Sequence, residues 1–252
     1  MRMLRRLYRL IRLTVQLLVG IFLALRYSHL VEEGIPSEKY QQIKQQWNRK
    51  TCDILGLRIL IKGEPPATAS LLVSNHISWL DIPLLGSLLP LNFLSKDEVR
   101  RWPVVGWLAW KSGTLFIKRG NHGAANQASL EITRHLKAGQ NVLIFPEGTT
   151  TDGTRVRRFH PRLFAVAIDN VVSIQPVGIR YLNGDGDHCH SAAFIDNEPF
   201  TSSLWKILGE PSIQANVSFL PIIKSGHDAH RRALAEATRS QIVKALDLPD
   251  DH

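Results

Sequence analysis

A histidine and an aspartate five positions apart, His76 and Asp81, are the residue types from which a general base can be built. A carboxylate that accepts a hydrogen bond from one imidazole nitrogen fixes the tautomer and stabilises the imidazolium, so the other nitrogen is free to take a proton. The same two residues at this spacing also occur by chance, as a strand-end histidine and a helix-starting aspartate. The elements around the pair and the rest of the chain decide between these two interpretations.

The pair lies between a short apolar strand and an amphipathic helix. Residues 71–73 (LLV) are predicted as a buried strand, because a brief apolar run bounded by polar residues is too short for a helix and suits the interior of a sheet. Asp81 is favourable at a helix start, and apolar residues after it supply one helix face: Ile82, Leu84, Leu85 and Leu88. The turn between the strand and the helix is short enough to bring the carboxylate under the imidazole.

Two more predicted strands end in polar residues that suit catalysis. Residues 113–119 (GTLFIKR) form a strand that ends on Arg119, and residues 142–150 (VLIFPEGTT) form a strand that runs into Glu147. A helical pattern between them predicts a β-α-β unit, which makes parallel strands with their carboxyl ends at one edge of the sheet. We therefore expect Arg119 and Glu147 to lie at the same edge as His76.

Four blocks, NHxxxxD, GxxFIxR, FPEGT and a strand that carries Pro-Val, follow one another between residues 74 and 179. In this order they resemble the PlsC-type glycerolipid acyltransferase family, which includes the lysophosphatidic acid acyltransferases. The resemblance implies an α/β fold with a largely parallel sheet and helices on both faces. It also implies a lipid-biosynthetic reaction, in which a fatty acyl group moves from acyl-CoA or acyl carrier protein to the free hydroxyl of a lysophospholipid. Lysophosphatidic acid, converted to phosphatidic acid, is the first choice of acceptor.

The resemblance also implies roles for individual residues. His76 is the base and Asp81 its orienting partner, and the matched positions that contact substrate are Gly113, Phe116, Arg119, Glu147, Gly148, Thr149 and Pro176. Gly113 and Arg119 are implied contacts of the acceptor phosphate, and Pro176 is implied to shape the acyl end. The guanidinium fork of Arg119 suits a phosphate dianion better than an ammonium would. Because a carboxylate repels phosphate, Glu147 is expected to grip a glycerol hydroxyl, or to pair with Arg119 and hold it in place.

Motifs for several other chemistries are absent from the sequence. There is no GxSxG elbow for an acyl-serine route, no Walker A lysine and no GxGxxG after a strand. The segment 185–190 (DGDHCH) carries metal-ligand types, but they are adjacent and no second cluster completes a set of four. We therefore expect no metal and no bound cofactor, and a direct attack on the thioester by the hydroxyl that His76 deprotonates.

The N-terminal 26 residues combine arginines with an apolar run. Arginines recur at helical spacing at positions 2, 5, 6, 9 and 12 with apolar residues on the opposite face, and residues 13–25 are almost uncharged. With a net charge of +9, this arrangement favours an anionic membrane over nucleic acid. We expect each arginine to add up to ~1 kcal/mol of attraction to anionic lipid. The apolar run is short of the ~20 residues that span a bilayer, so it is expected to lie in one leaflet. A cleaved signal peptide is the alternative, although no small-x-small cleavage site follows.

A second helix is predicted to open at residues 36–38 (PSE) and to stop at Gly56. We therefore divide the chain into a membrane-associating helical pair, residues 1–56, and an acyltransferase domain, residues 57–252. The two cysteines lie far apart in the sequence, which favours a reducing compartment over a disulfide framework. Together with the cytoplasmic origin of thioester donors, this places the protein on the cytoplasmic face of the inner or plasma membrane. Three tryptophans are expected to face lipid or acyl chain, or to be core residues: Trp102, Trp107 and Trp110.

The acceptor is where the chain departs from the family pattern. After the FPEGT block many relatives carry a block similar to FKxG, whereas residues 159–162 here read FHPR. A titrating histidine replaces a permanent cation, although arginines of the preceding loop could compensate: Arg155, Arg157 and Arg158. Lyso-ornithine lipid, which lacks the glycerol phosphate, is therefore the second candidate acceptor. An amine-acylating enzyme, and an inactive membrane-binding or nucleic-acid-binding protein, complete the alternatives.

Overall fold

The computed structural model describes residues 1–117, 124–195 and 198–250. The helices of this part of the chain are α1 (Arg2–Tyr27), α2 (Glu38–Leu55), α3 (Asp81–Leu88), α4 (Val105–Lys111), α5 (Ala124–Lys137), α6 (Ala165–Asp169), α7 (Phe200–Gly209) and α8 (Arg231–Leu246). Its strands are β1 (Val31–Glu32), β2 (Ile35–Pro36), β3 (Leu57–Lys62), β4 (Leu71–Ser74), β5 (Asn92–Lys96), β6 (Leu115–Ile117), β7 (Val142–Ile144), β8 (Ile174–Leu182) and β9 (Ile213–Phe219). Strands β1 and β2 form a small hairpin of their own.

Strands β3 to β9 form one sheet in the order β3-β9-β8-β4-β7-β5-β6. Every neighbouring pair in it is parallel except β8 and β9, which are antiparallel. The strand that precedes His76, β4, is the central one, between β8 and β7. The predicted largely parallel α/β fold is confirmed, and so is the strand at residues 71–73. Strand β3 lies at one edge of the sheet.

Alternate residues of the central strands pack on opposite faces of the sheet. On one face Leu72 lies in a buried cluster with Leu55 of α2 and Leu84 of α3. On the other, Leu71 and Val73 lie in a second cluster with residues of α5 and α8 such as Ile132 and Ile242. Because both faces are covered, β7 is apolar throughout and β4 is apolar except for Ser74, as in other buried parallel sheets. The expected helices on both faces are therefore confirmed.

The ends of α2 lie where capping residues predict them. The side chain of Ser37 accepts a hydrogen bond from the Tyr40 N–H, and Gly56 ends the helix in the left-handed region with φ 80°. Other boundaries differ from the sequence-based prediction. The sequence predicts the last helix over residues 227–246, whereas α8 begins at Arg231, and it does not predict α7. The proposed division of the chain at residue 56 stays a prediction, and Leu55 and Leu57 on either side of it belong to the same core cluster.

Some arginines of α1 form hydrogen bonds within the protein, and their attraction to anionic lipid stays a prediction. Arg5 Nη2 donates to the Gly209 carbonyl at 2.6 Å, and Arg9 Nη1 donates to the Glu210 carbonyl at 2.7 Å. These carbonyls are at the end of α7, where backbone acceptors lack helical partners. Arg5 and Arg9 are thus turned toward the protein, whereas Arg2 and Arg12 are exposed. The side that faces outward is a stripe of exposed apolar residues: Leu4, Leu7, Tyr8, Ile11, Val15, Leu18, Val19, Phe22 and Leu25.

Candidate active site

The turn that carries His76 is fixed to the sheet by the side chain of Asn75. Its Nδ2 donates to the Ile179 carbonyl at 3.0 Å, and its Oδ1 accepts from the Ile179 N–H at 2.8 Å. Asn75 therefore uses an amide side chain to continue the pairing with β8 after the backbone of β4 has turned away. The Asn75 side chain is buried, so both bonds are shielded from water. This anchor sets the point at which the chain leaves the sheet.

His76 and Asp81 form the predicted pair. His76 Nδ1 lies 2.7 Å from Asp81 Oδ2, and the same oxygen accepts from the N–H groups of Ile77 at 2.8 Å and Ser78 at 3.1 Å. The other oxygen, Oδ1, accepts from the hydroxyl of Tyr181 at 2.7 Å. A buried carboxylate with this many donors is held in one position, and it places the proton of the imidazole on Nδ1.

The imidazole is open on its other side. The His76 side chain is 20% exposed, whereas that of Asp81 is fully buried. Its ring stacks on Phe145 at a centroid distance of 4.0 Å and an interplanar angle of 16°. Within the described part of the chain no group forms a hydrogen bond with Nε2. A histidine held by a carboxylate, stacked on one face and free at Nε2 can take a proton from a substrate hydroxyl.

Glu147 holds two loops of the site together. Its Oε1 accepts from the His76 N–H at 2.7 Å, and its Oε2 accepts from the Arg157 N–H at 2.8 Å. The residue is 4% exposed, and burial raises the pKa of its carboxyl to about 7, against the lowering effect of these two hydrogen bonds. Both oxygens thus accept backbone N–H groups, and the expected contact with an acceptor hydroxyl stays a prediction. In this structure Glu147 fixes the backbone of His76 relative to the segment that contains Arg157.

The predicted substrate contacts Gly113 and Phe116 lie near or within β6. Gly113 has φ 79°, and a Cβ there would come within 2.7 Å of Pro36 Cγ, so it is a close-packing position next to the β1-β2 hairpin. Phe116 lies half-buried in β6 opposite Ser95. Arg119 and its proposed pairing with Glu147 lie outside the described residues.

Two predicted contacts follow β7, and one lies within β8. Gly148 has φ 75° in the turn after β7, and Thr149 beside it is half-buried. Pro176 is buried in β8 next to Val73 of β4, three residues before the catalytic histidine. The substrate-binding roles of Gly113, Phe116, Arg119, Glu147, Gly148, Thr149 and Pro176 stay predictions.

The comparisons with known proteins bear directly on these features. Residues 58–180, which contain the pair and all four blocks, match the acyltransferase family. The lyso-ornithine lipid O-acyltransferase of Pseudomonas aeruginosa is 40% identical over 251 residues, which cover 98% of this chain and 95% of the relative. This chain belongs to the PlsC-type acyltransferase family. Its predicted membership, its enzyme class and its link to lipid biosynthesis are thereby confirmed.

Other relatives of this acyltransferase represent both predicted acceptor classes. A lyso-ornithine lipid O-acyltransferase of Rhodobacter capsulatus is 38% identical over 77% of this chain and 71% of the relative. A 1-acyl-sn-glycerol-3-phosphate acyltransferase of Neisseria gonorrhoeae is 28% identical over 75% of this chain and 73% of the relative. Among solved structures, the crystal structure of PlsC from Thermotoga maritima superposes with a TM-score of 0.68 at 19% identity, covering 100% of both chains. At that identity the likeness establishes a shared fold.

Three residues of this acyltransferase centre were not singled out by the sequence analysis. Asn75 and Phe145 lie inside the quoted blocks, next to His76 and Pro146, so the blocks contain the signal that finds them. Tyr181 lies outside the blocks, 100 residues from the aspartate to which it donates. Burial and the neighbouring Asp81 raise its pKa well above the ordinary value, so its hydroxyl keeps its proton and stays a donor. Nothing in the local sequence marks this tyrosine.

An apolar cavity of about 180 Å³ lies between the N-terminal helices and the catalytic part of the acyltransferase. It is lined by side chains of α1, α2 and α4, and by Ile82, which follows the catalytic aspartate in α3. One cation is among the lining residues. Lys44 Nζ donates to the Ser112 carbonyl at 2.8 Å, and burial lowers the pKa of Lys44 to about 7.

The predicted tryptophans lie in different environments. Trp102 packs on Phe200 at a ring distance of 5.7 Å, and Phe200 packs in turn on Trp79 of the catalytic turn at 5.1 Å. Trp107 is half-buried, and Trp110 is 46% exposed with Lys111 over its ring. Trp102 therefore packs in an aromatic cluster next to the turn, whereas Trp110 is at the surface.

Proposed function

We propose that this protein transfers a fatty acyl group from an acyl thioester to the free hydroxyl of lyso-ornithine lipid. The observation that carries the proposal is the buried Asp81 paired with an imidazole whose Nε2 is open. Nε2 takes the hydroxyl proton as the hydroxyl oxygen attacks the thioester carbonyl carbon. The tetrahedral intermediate then collapses, the carbon–sulfur bond breaks, and the thiolate leaves with the proton returned from the imidazolium. No bound cofactor or metal is required, because the thioester is itself activated.

The choice of lyso-ornithine lipid is supported by the relatives. The similarity to the two lyso-ornithine lipid acyltransferases, 40% and 38%, exceeds the 28% identity to the glycerol-phosphate enzyme. The departure at residues 159–162, where a histidine replaces the usual lysine, fits an acceptor that lacks a phosphate monoester. Lysophosphatidic acid remains the second candidate, because relatives with that acceptor match three quarters of the chain.

The position at the membrane is proposed from α1. The segment Arg2–Leu30 is, by length and composition, apolar enough to cross a membrane, and only 17% of its most apolar window is buried. These properties indicate membrane association. Its apolar stripe runs along the outward side, and its other side is docked on α2 and α7, an arrangement that suits a helix lying in the interface plane. We place this helix in one leaflet of an anionic membrane, with the active site on the cytoplasmic side, where acyl-CoA or acyl carrier protein is available.

The apolar cavity is the proposed place for an acyl chain. Its walls are apolar, and it lies between the membrane-facing helix and α3, which begins at the catalytic aspartate. A chain that enters from the bilayer would therefore reach it without crossing water.

The test is an acyl transfer assay on the full-length protein in vesicles, with three acceptors compared: lyso-ornithine lipid, lysophosphatidic acid and an amine analogue of the lysolipid. Wild type is expected to acylate lyso-ornithine lipid fastest, and His76→Ala should lower kcat by ~10²–10⁴. Arg119→Ala distinguishes the acceptors, since loss of a charge-assisted bond to a phosphate should cost roughly 1.5–3 kcal/mol in kcat/KM with lysophosphatidic acid and less with lyso-ornithine lipid.

Three results would contradict parts of the proposal. Fast acylation of lysophosphatidic acid alone would show that this lipid, and not lyso-ornithine lipid, is the acceptor. Preferred acylation of the amine would show that the enzyme forms amides and not esters. Near-normal turnover by His76→Ala would refute the mechanism.

A further inference from the structure

Four exposed arginines line an open cleft of about 550 Å³. Two of them, Arg158 and Arg162, belong to the segment after β7, and Arg231 and Arg232 are the first two residues of α8. Within the described residues, no carboxylate forms an ion pair with any of the four guanidinium groups. We refer to this feature as the arginine cleft.

Arg231 and Arg232 lie at the N-terminus of α8, where positive charge is unfavourable for the helix. The first turn of α8 contains no acidic residue, although the helix dipole favours anions at this end and disfavours cations. Arg231 and Arg232 therefore do not help α8 to form. Their place in an unpaired cationic cluster is better explained by an anionic partner than by folding.

The arginine cleft is joined to the catalytic base by a short stretch of backbone. The Arg157 N–H donates to Glu147 at 2.8 Å, and the same carboxylate accepts from the His76 N–H at 2.7 Å. The His160 N–H donates to the Pro146 carbonyl at 2.9 Å. The chain from residue 157 to residue 162 spans at most ~18 Å, so the cleft lies within that distance of the loop that holds His76. A partner bound there is close enough to deliver a substrate.

The arginine cleft lies on the side of the sheet that is turned away from the membrane helix. Residues of α8 and of the segment after Arg158 pack in the core cluster that contains Leu71 and Val73. Leu13 of α1 and Leu55 of α2 belong to the cluster on the other face. This placement favours a soluble partner over lipid head groups. Phe159, beneath the cleft, is only 2% exposed and so offers no ring face on which the purine of a CoA nucleotide could stack.

We propose that the arginine cleft docks an acidic acyl carrier protein, whose carboxylates pair with the four guanidinium groups while its thioester arm reaches His76. The inference rests on the proposed acyltransferase function and assigns its donor. Guanidinium groups from two separate elements suit a broad acidic surface, because each can pair bidentately with a different carboxylate. Such charge pairs steer the encounter and set its salt dependence.

The test compares two double variants of the full-length protein in vesicles. Arg231→Glu with Arg232→Glu reverses the cleft charge and places acids where the α8 dipole favours them, so the fold should be retained. Arg58→Glu with Lys62→Glu makes the same charge change at exposed positions of β3, three strands from β4, and is the control. Each protein is assayed with acyl carrier protein, with acyl-CoA and with an uncharged acyl thioester of N-acetylcysteamine.

For the cleft variant we expect the KM for the acyl carrier protein to rise at least ~10-fold with kcat nearly unchanged, and no change with the uncharged thioester. The Kd of fluorescently labelled holo carrier protein should rise in parallel. This binding measurement needs no turnover, so a wild type that binds the carrier but acylates no lysolipid would refute the proposed function while supporting the docking site.

Other outcomes would overturn the proposed docking site. If the KM and Kd for the acyl carrier protein are unchanged, or change equally in the control variant, the cleft does not bind the donor. An equal or larger loss with acyl-CoA would indicate a phosphate or nucleotide site. A uniform loss with all three donors together with weaker vesicle binding would indicate a membrane contact.

Discussion

Replacement of Glu147 by glutamine tests whether this residue positions the catalytic histidine. Its two oxygens accept the His76 and Arg157 N–H groups at 2.7 and 2.8 Å, and a glutamine amide can accept only one of them. The other N–H then faces an NH₂ group, and an unsatisfied buried donor costs about 1–3 kcal/mol. If the lost bond is that of His76, the imidazole shifts relative to the substrate. We expect kcat to fall at least ~10-fold, because small misplacements of catalytic groups are costly.

The same substitution should change how stability depends on pH. Burial raises the pKa of Glu147 from 4.5 to about 7, so between these values the folded protein keeps a proton that the unfolded chain has released. The contribution of this group to the free energy of unfolding is therefore full below pH ~4.5 and declines by about 3 kcal/mol as the pH rises to ~7. Glu147→Gln does not titrate, so this decline should be absent from the variant.

The assay is chemical denaturation at pH 4.5, 6 and 7.5, together with kcat at pH 7.5, for wild type, Glu147→Gln and Glu236→Gln. Glu236 is exposed on α8 and controls for the loss of one carboxylate. As the pH rises from 4.5 to 7.5, wild type should lose stability relative to Glu147→Gln, while Glu236→Gln should follow wild type. A variant with wild-type kcat and an unchanged slope of stability with pH would refute the positioning role.

Two further predictions concern residues that the tertiary structure singles out. Tyr181→Phe removes the 2.7 Å hydrogen bond to Asp81 with little change in shape, and loss of a bond to a charged group should cost roughly 1.5–3 kcal/mol. We expect kcat to fall while the KM of both substrates changes little. An unaltered kcat would show that this bond does not contribute to the function of the base. The double substitution Leu18→Ser and Phe22→Ser interrupts the exposed apolar stripe of α1. It should weaken binding to vesicles in a flotation assay without lowering the melting temperature. Vesicle binding equal to that of wild type would argue against a helix that lies in the plane of the membrane.

The sequence by itself determined much of the fold and the centre of the site. Short apolar runs located β4 and β7, because a strand buried on both faces is built mainly from apolar residues. Ser37 and Gly56 located the ends of α2, because capping depends on neighbouring residues alone. The order of the four blocks led to His76 and Asp81, whose pairing needs only the five-residue turn between them.

Only the tertiary structure decided which side of α1 faces outward and what Glu147 does. Helical periodicity separates arginines from apolar residues, but it does not say which side the protein covers. That choice depends on the Gly209 and Glu210 carbonyls, about 200 positions away, which accept bonds from Arg5 and Arg9. Likewise Glu147 and Tyr181 take their roles from donors and acceptors brought together by the packing of β4 against β7 and β8. Such partners are set by the arrangement of the sheet, which no local pattern encodes.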